Sequence, residues 1–160
     1  MEIRTAVPAD VDAVTALEAV CFPPAEAAPR SAIATRLAAF PHTFWLLWEG
    51  DDLLAMVNGM TACQKDLTDE MYAGDSLYDP EGPWLMIFGV AARPDCRGKG
   101  YPSRLMEQAI AEAKAAKRAG VVLTCKEALL PYYARFGFQN EGPSASAHGG
   151  AVWYQMRLTF

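Results

Sequence analysis

A chain of 160 residues, 52% hydrophobic and 21% charged, has the size of one domain and the composition of an ordinary folded core, which excludes wholesale disorder. The formal net charge of −5 argues against a general electrostatic grip on nucleic acid. Its longest apolar run, around Trp84–Ala92, is about half of the ~20 residues that a membrane helix needs, and Met1-Glu2-Ile3-Arg4 opens no signal-peptide core.

Glu2–Ala6 alternates like a short strand, and Pro8-Ala9-Asp10 then opens a helix carrying Val11, Val14, Leu17 and Cys21 at helical spacing. Phe22-Pro23-Pro24 ends it, because proline forbids continuation. Pro29-Arg30-Ser31 opens a second helix that Pro41 closes. Thr43–Glu49 and Leu53–Ala62 read as strands of a hairpin across Gly50-Asp51-Asp52, and Lys65–Pro83 as a polar loop with room for a short helix. Trp84–Ala92 reads as a strand buried on both faces. After the turn Arg93–Gly100, the stripe Leu105, Met106, Ala109, Ile110 and Ala113 predicts an amphipathic helix, with Gly120 expected as its C-terminal cap. Val121–Thr124 (strand), Lys126–Arg135 (helix), Phe138–Glu141 (strand) and Ala151–Thr159 (strand, antiparallel to its predecessor) complete a single mixed α/β domain over residues 1–160.

Four scattered cysteines, Cys21, Cys63, Cys96 and Cys125, form no C-x-x-C pair, and His42 and His148 lie far apart. Reduced thiols in a cytoplasmic protein, and no metal site, are therefore expected.

The chemistry concentrates at Cys96-Arg97-Gly98-Lys99-Gly100-Tyr101-Pro102-Ser103, between the buried strand and the amphipathic helix. Glycines let backbone N–H groups converge, the helix start adds unpaired donors and partial positive charge, and Arg97 and Lys99 add full charges. This suits a pyrophosphate. A dinucleotide fingerprint lacks its third glycine here, and a Walker loop lacks Lys-Ser or Lys-Thr.

These residues resemble the GNAT superfamily of acetyl-CoA-dependent N-acetyltransferases, whose motif is Gln/Arg-x-x-Gly-x-Gly/Ala. Arg97, Gly98, Lys99, Gly100 and Tyr101 match it, and Pro102 departs at the last position. Proline removes one N–H from the cradle but presets a helical φ in the first turn. Cys21-Phe22-Pro23, Phe40-Pro41, Asp79-Pro80-Glu81-Gly82 and the long block Leu123–Phe138 look like the arylalkylamine (serotonin) N-acetyltransferase branch. The resemblance implies a splayed central sheet flanked by helices, with acetyl-CoA as cosubstrate. Val90 and Ala92 main-chain groups would bind its pantetheine arm, and Arg97–Ser103 its pyrophosphate.

Amine acetylation needs a neutral amine, whereas an alkyl ammonium near pKa ~10 is mostly protonated at neutral pH. The departing thiolate needs a proton, which suits a tyrosine hydroxyl. Tyr132 and Tyr133 point about 100° apart on one helix, and spacing alone leaves both as packing residues. The resemblance assigns the acid to Tyr133, in the Pro-x-Tyr-x-Arg-Phe-Gly-Phe block. Where the branch has a His-x-His pair, this chain has Met86 and Phe88, neither able to accept a proton. Asp69, Glu70, Asp75 and Glu127 read as solvated acids or caps, His148 as an exposed loop residue and His42 as a turn residue, so no base is named.

Phe22 and Pro23, on the loop between the first two helices, would with Met86 and Phe88 make an apolar pocket for an aromatic or aliphatic primary amine. The expected partner is thus a small-molecule amine, with neither nucleic acid nor membrane. Peptide or protein acetylation at lysine or the N-terminus, and a catalytically silent acyl-CoA sensor, are the alternatives. The acidic net charge would help draw in a cationic amine.

Overall fold

The computed structural model describes residues 1–160. Its strands are β1 (Glu2–Thr5), β2 (Phe44–Glu49), β3 (Asp52–Ala62), β4 (Trp84–Ala92), β5 (Gly120–Cys125), β6 (Gln139–Pro143) and β7 (Tyr154–Thr159). Its α-helices are α1 (Val11–Cys21), α2 (Arg30–Ala39), α3 (Asp69–Tyr72), α4 (Tyr101–Ala115) and α5 (Leu130–Ala134). The seven strands follow the order β1-β2-β3-β4-β5-β7-β6, with β4–β5 parallel and β1–β2, β2–β3, β5–β7 and β6–β7 antiparallel. The mixed α/β sheet expected from the sequence is therefore present. No helix is long and apolar enough to cross a membrane, and all four cysteines are free thiols.

The chain forms two compact units, Met1–Gly59 with Gly89–Ala109, and Met60–Phe88 with Ile110–Phe160, and it passes from one to the other within β3, β4 and α4. In the first unit, Pro8 begins a 3-10 turn that leads into α1, and Val14 and Leu17 of α1 are buried. Asp10 accepts a two-pronged hydrogen bond from Arg4 (2.8 and 2.9 Å) and a third from the Val7 N–H (2.8 Å), which fixes that entry. The five residues Phe44–Trp48 of β2 are all buried, the pattern of a strand covered on both faces. Pro41 closes α2 as expected, and opens a short 3-10 turn.

In the second unit, β4 pairs with β5 from Trp84↔Gly120 to Ile87↔Leu123, and the last five residues of β4 lie beyond that pairing. The polar loop does contain a helix, the single turn α3. The predicted helix 126–135 divides into a 3-10 turn (Glu127–Leu129) and α5, because Pro131 lacks the N–H needed to continue a ladder from Lys126. β7 begins at Tyr154 rather than Ala151, since His148–Gly150 turns as a 3-10 segment with Gly149 at φ 64° and the Trp153 indole N–H donates to the His148 carbonyl (2.7 Å).

The helix cap differs from expectation. Lys117, at φ 60°, holds the left-handed position after α4, with Arg118 N–H bonded to Ala113 O (3.1 Å) and Lys117 N–H to Lys114 O (2.9 Å). That is a Schellman closure built on a lysine. Gly120 instead starts β5, where a Cβ would overlap the Leu158 carbonyl oxygen and lie 2.8 Å from Trp84 Cζ3. Its glycine is required by close approach, and capping has no part in it.

Candidate active site

In the first unit, β4 ends at Ala92 and the chain turns through a 3-10 segment, Pro94–Cys96, before α4 begins at Tyr101. Arg93 N–H donates to Leu54 O (2.8 Å), which ties this exit to β3. Gly98 (φ 82°) and Gly100 (φ 76°) both adopt left-handed backbone, and no atom lies within 4 Å of where a Cβ would stand at either. Glycine is thus needed for conformation, and the space above the turn is open. Arg97 and Lys99 are exposed beside it, and Tyr101, Pro102 and Ser103 are half-buried. Pro102 lies in the first turn of α4, where a missing N–H breaks no helical bond. Open space, two cations, flexible glycines and a fifteen-residue helix together fit a pyrophosphate.

Val90 and Ala92 are half-buried on β4. The Ala92 carbonyl already accepts a hydrogen bond from Cys21 Sγ at 3.1 Å. Burial raises the Cys21 thiol above its ordinary pKa while the Arg97 guanidinium opposes that, so the group at Ala92 is a neutral donor. Phe22, one residue on, is half-buried, and Pro23 is exposed. The loop that carries them is braced: Pro23 O accepts from Glu26 N (2.8 Å) and Ala27 N (2.9 Å), and the buried Glu18 carboxylate accepts from Ala28 N (3.0 Å).

In the second unit, Tyr133 on α5 is 6% exposed. It meets Tyr132 edge-on (ring centroids 5.0 Å apart) and packs on Phe138 (6.1 Å). Burial, with Tyr132 and Cys125 nearby, pushes its hydroxyl well above the usual tyrosine range, so it stays protonated throughout neutral pH. Burial also lifts the Cys125 thiol to about 11. On β4, the two positions aligned with the branch's histidine pair divide: Met86 is 0% exposed and belongs to the core, whereas Phe88 is half-buried and offers surface.

What surrounds Phe88 has no signature in the sequence. Tyr72, the last residue of α3, packs on Phe88 (4.9 Å, 45°) and stacks on the His148 imidazole (5.1 Å, 13°). Its hydroxyl lies 3.4 Å from Thr124 Oγ1 on β5. The Trp153 ring lies 6.1 Å from His148, with Lys126 Nζ 5.7 Å above it. Asp69 fastens the loop: its carboxylate accepts from Ser146 Oγ and from Ala147 N (3.2 Å). His148 is therefore half-buried in an aromatic cluster, in contrast to the exposed loop residue expected. Tyr72 sits in a loop without apolar periodicity and His148 in a Ser/Gly-rich stretch, so neither carried a readable signal.

A splayed mixed sheet with a basic glycine turn opening its long helix defines the class, and the acetyltransferase (GNAT) family model matches residues 11–138, so the chain belongs to that family. Serotonin N-acetyltransferase of Mesocricetus auratus is 29% identical over 115 residues, covering 70% of this chain and 53% of that protein. The chain thus spans about half the length of that curated relative. Among solved structures, the loading GNATL domain of CurA from Lyngbya majuscula superposes with a TM-score of 0.85 (13% identity, 99% of this chain, 96% of that one). The GphF GNAT-like decarboxylase, solved in complex with isobutyryl-CoA, gives 0.81 (19% identity, 99% of both chains). At these identities the solved structures establish the fold.

Proposed function

We propose that this chain transfers an acetyl group from acetyl-CoA to a primary amine, of small aromatic or aliphatic type. The observation that carries the reading is the turn Arg97–Ser103: left-handed glycines under open space, flanked by two cations, at the start of α4. In this reading Arg97, Gly98, Lys99, Gly100, Tyr101, Pro102 and Ser103 hold the pyrophosphate and the Val90 and Ala92 main chain holds the pantetheine arm. When bound, acetyl-CoA supplies an acyl thioester. Because Ala92 O has Cys21 as its partner, the arm takes the remaining main-chain groups or displaces the thiol.

Tyr133 is the proton donor to the leaving sulfur. Burial keeps its hydroxyl protonated at neutral pH, the form that an acid needs and that cannot serve as the base. The phenolate left behind regains its proton from the acylated nitrogen, so of the three protons of the ammonium one leaves for solvent before attack, one ends on sulfur and one stays on the amide. On the acceptor side the reading assigns Phe22 and Pro23 from the first unit, and Phe88 and the buried Met86 from the second, as the apolar residues. Family membership and the serotonin N-acetyltransferase relative support amine acetylation.

Free-thiol release from acetyl-CoA across arylalkylamines, polyamines, a lysine peptide and a peptide with a free α-amine tests the reading. Turnover confined to small amines supports it. Turnover confined to peptides moves the acceptor to protein, and cofactor binding with no thiol release from any amine makes the chain a silent acyl-CoA sensor.

A further inference from the structure

We infer that His148 is the group that takes the proton from the acceptor ammonium, an assignment that rests on the amine-acetylation reading above. The positions from which the arylalkylamine branch presents histidines hold Met86 and Phe88 here, and neither accepts a proton. The structure puts an imidazole in the same cluster from a different element. His148 stacks on Tyr72, Tyr72 packs on Phe88, and the Tyr72 hydroxyl reaches Thr124.

The loop is built to hold this ring. Asp69 grips Ser146 Oγ and the Ala147 N–H, the His148 N–H donates to Ser146 Oγ (3.3 Å), and the His148 carbonyl accepts from the Trp153 indole. Four bonds and a 13° stack fix one imidazole among glycines and serines that would otherwise leave it many orientations. A neutral imidazole offers a nitrogen lone pair that can accept a proton and release it again. Carboxylates match the task poorly, their ordinary pKa of ~4 lying far below that of an alkyl ammonium. Asp69 and Tyr72 on α3, and Lys126, whose ammonium lies over Trp153, are the charged and titratable groups that these contacts bring toward the ring. The Asp69 carboxylate is engaged by the loop itself, and β4 contributes the uncharged Phe88.

In the step, one N–H bond of the ammonium breaks and an N–H bond forms on the imidazole. The amine keeps the electron pair and becomes the nucleophile. The imidazolium, half-buried, then passes its proton to water.

The test uses His148→Phe, which keeps a ring to stack on Tyr72 and removes the proton acceptor. With the best amine from the thiol-release panel, kcat/KM should fall roughly 10²–10³-fold at pH 7. The deficit should shrink steadily as pH approaches ~10, where the amine is already its own free base. In His148→Ala, added imidazole should restore part of the lost rate. A readout independent of turnover comes from ¹⁵N-histidine spectra, simplified by a chain with two histidines: the amine alone should move the His148 ring signals and leave those of His42 in place. Full activity in His148→Phe, an equal deficit at pH 7 and pH 10, or unmoved His148 signals would each overturn the assignment. A wild type that releases no thiol with any amine fails the underlying reading as well, and is recognised by that silence before any variant is made.

Discussion

Arg157 of β7 is the charge whose removal the structure weighs most heavily. Its side chain is 6% exposed, and all three guanidinium nitrogens are engaged. Nε donates to both Glu141 oxygens (3.2 and 2.9 Å), Nη1 to the Lys65 carbonyl (2.6 Å) and Nη2 to Asp66, while the guanidinium lies 4.7 Å over the Trp84 ring. Arg157→Met keeps most of the aliphatic volume and deletes every one of these bonds. Removing one partner of a buried pair costs about 3–5 kcal/mol, chiefly from the stranded charge. Here Asp66 and Glu141 are 64% and 36% exposed and can return to water, which lowers the cost, whereas the Lys65 carbonyl loses its donor. The expected loss is about 2–3 kcal/mol. For a chain of this size that is a fall in Tm of about 5–10 °C, with the urea m-value unchanged. Glu141→Gln, removing a partly hydrated partner, should cost less. Because Lys65 and Asp66 lead into α3, Arg157→Met should also loosen Tyr72 and raise the acceptor KM. A Tm within about 1 °C of wild type would refute the reasoning, since it would mean that the network is worth no more than a surface pair.

Gly120→Ala drives a methyl into the Leu158 carbonyl and toward Trp84, so it should abolish soluble protein or lower stability by several kcal/mol, about the upper range for single substitutions, as read by chemical denaturation. Lys117→Gly should do the opposite, raising stability by about 1 kcal/mol, because glycine takes the left-handed position without strain. Asp10 and Glu141 are held below the usual carboxylate range, first by hydrogen bonds from Arg4 and Arg157 respectively. Their contribution is therefore complete above their unfolded pKa values of ~4 and is lost as pH falls through the lower folded values. Tm should be flat from pH 7 to 5 and drop below that, with a shallower drop in Asp10→Asn/Glu141→Gln. Tyr133→Phe should retain the fold and lose most turnover, roughly 10²-fold, in the thiol-release assay. Unchanged turnover would remove Tyr133 from the chemistry.

What could be read from the sequence was whatever repeats at a fixed period or requires a particular backbone. Trp84–Ala92 was bounded to the residue because Pro83 and the continuous apolar run coincide with its limits. The two proline-closed helices and the glycine turn were equally plain, since proline and positive φ are local demands. Gly120 misled for the same reason. A glycine after a helix reads as a cap, and only the approach of Leu158 from β7, a residue far along the chain, shows what it is for.

The residues proposed for the acceptor side were hidden for a related but deeper cause. A phosphate cradle is built from one short segment, and so its residue types must appear together in the sequence. A proton acceptor needs only one imidazole near the reacting nitrogen, and any element can deliver it. Position Phe88 on β4 reads as a lost catalytic group if the base must come from that strand. Tyr72 from α3, Phe88 from β4, Thr124 from β5 and His148 from the β6–β7 loop converge across tens of residues of sequence, through a stack and a clamp that no local pattern encodes. The constraint on the loop is written in Asp69, Ser146 and Trp153, whose hydrogen bonds hold the chain on either side of His148.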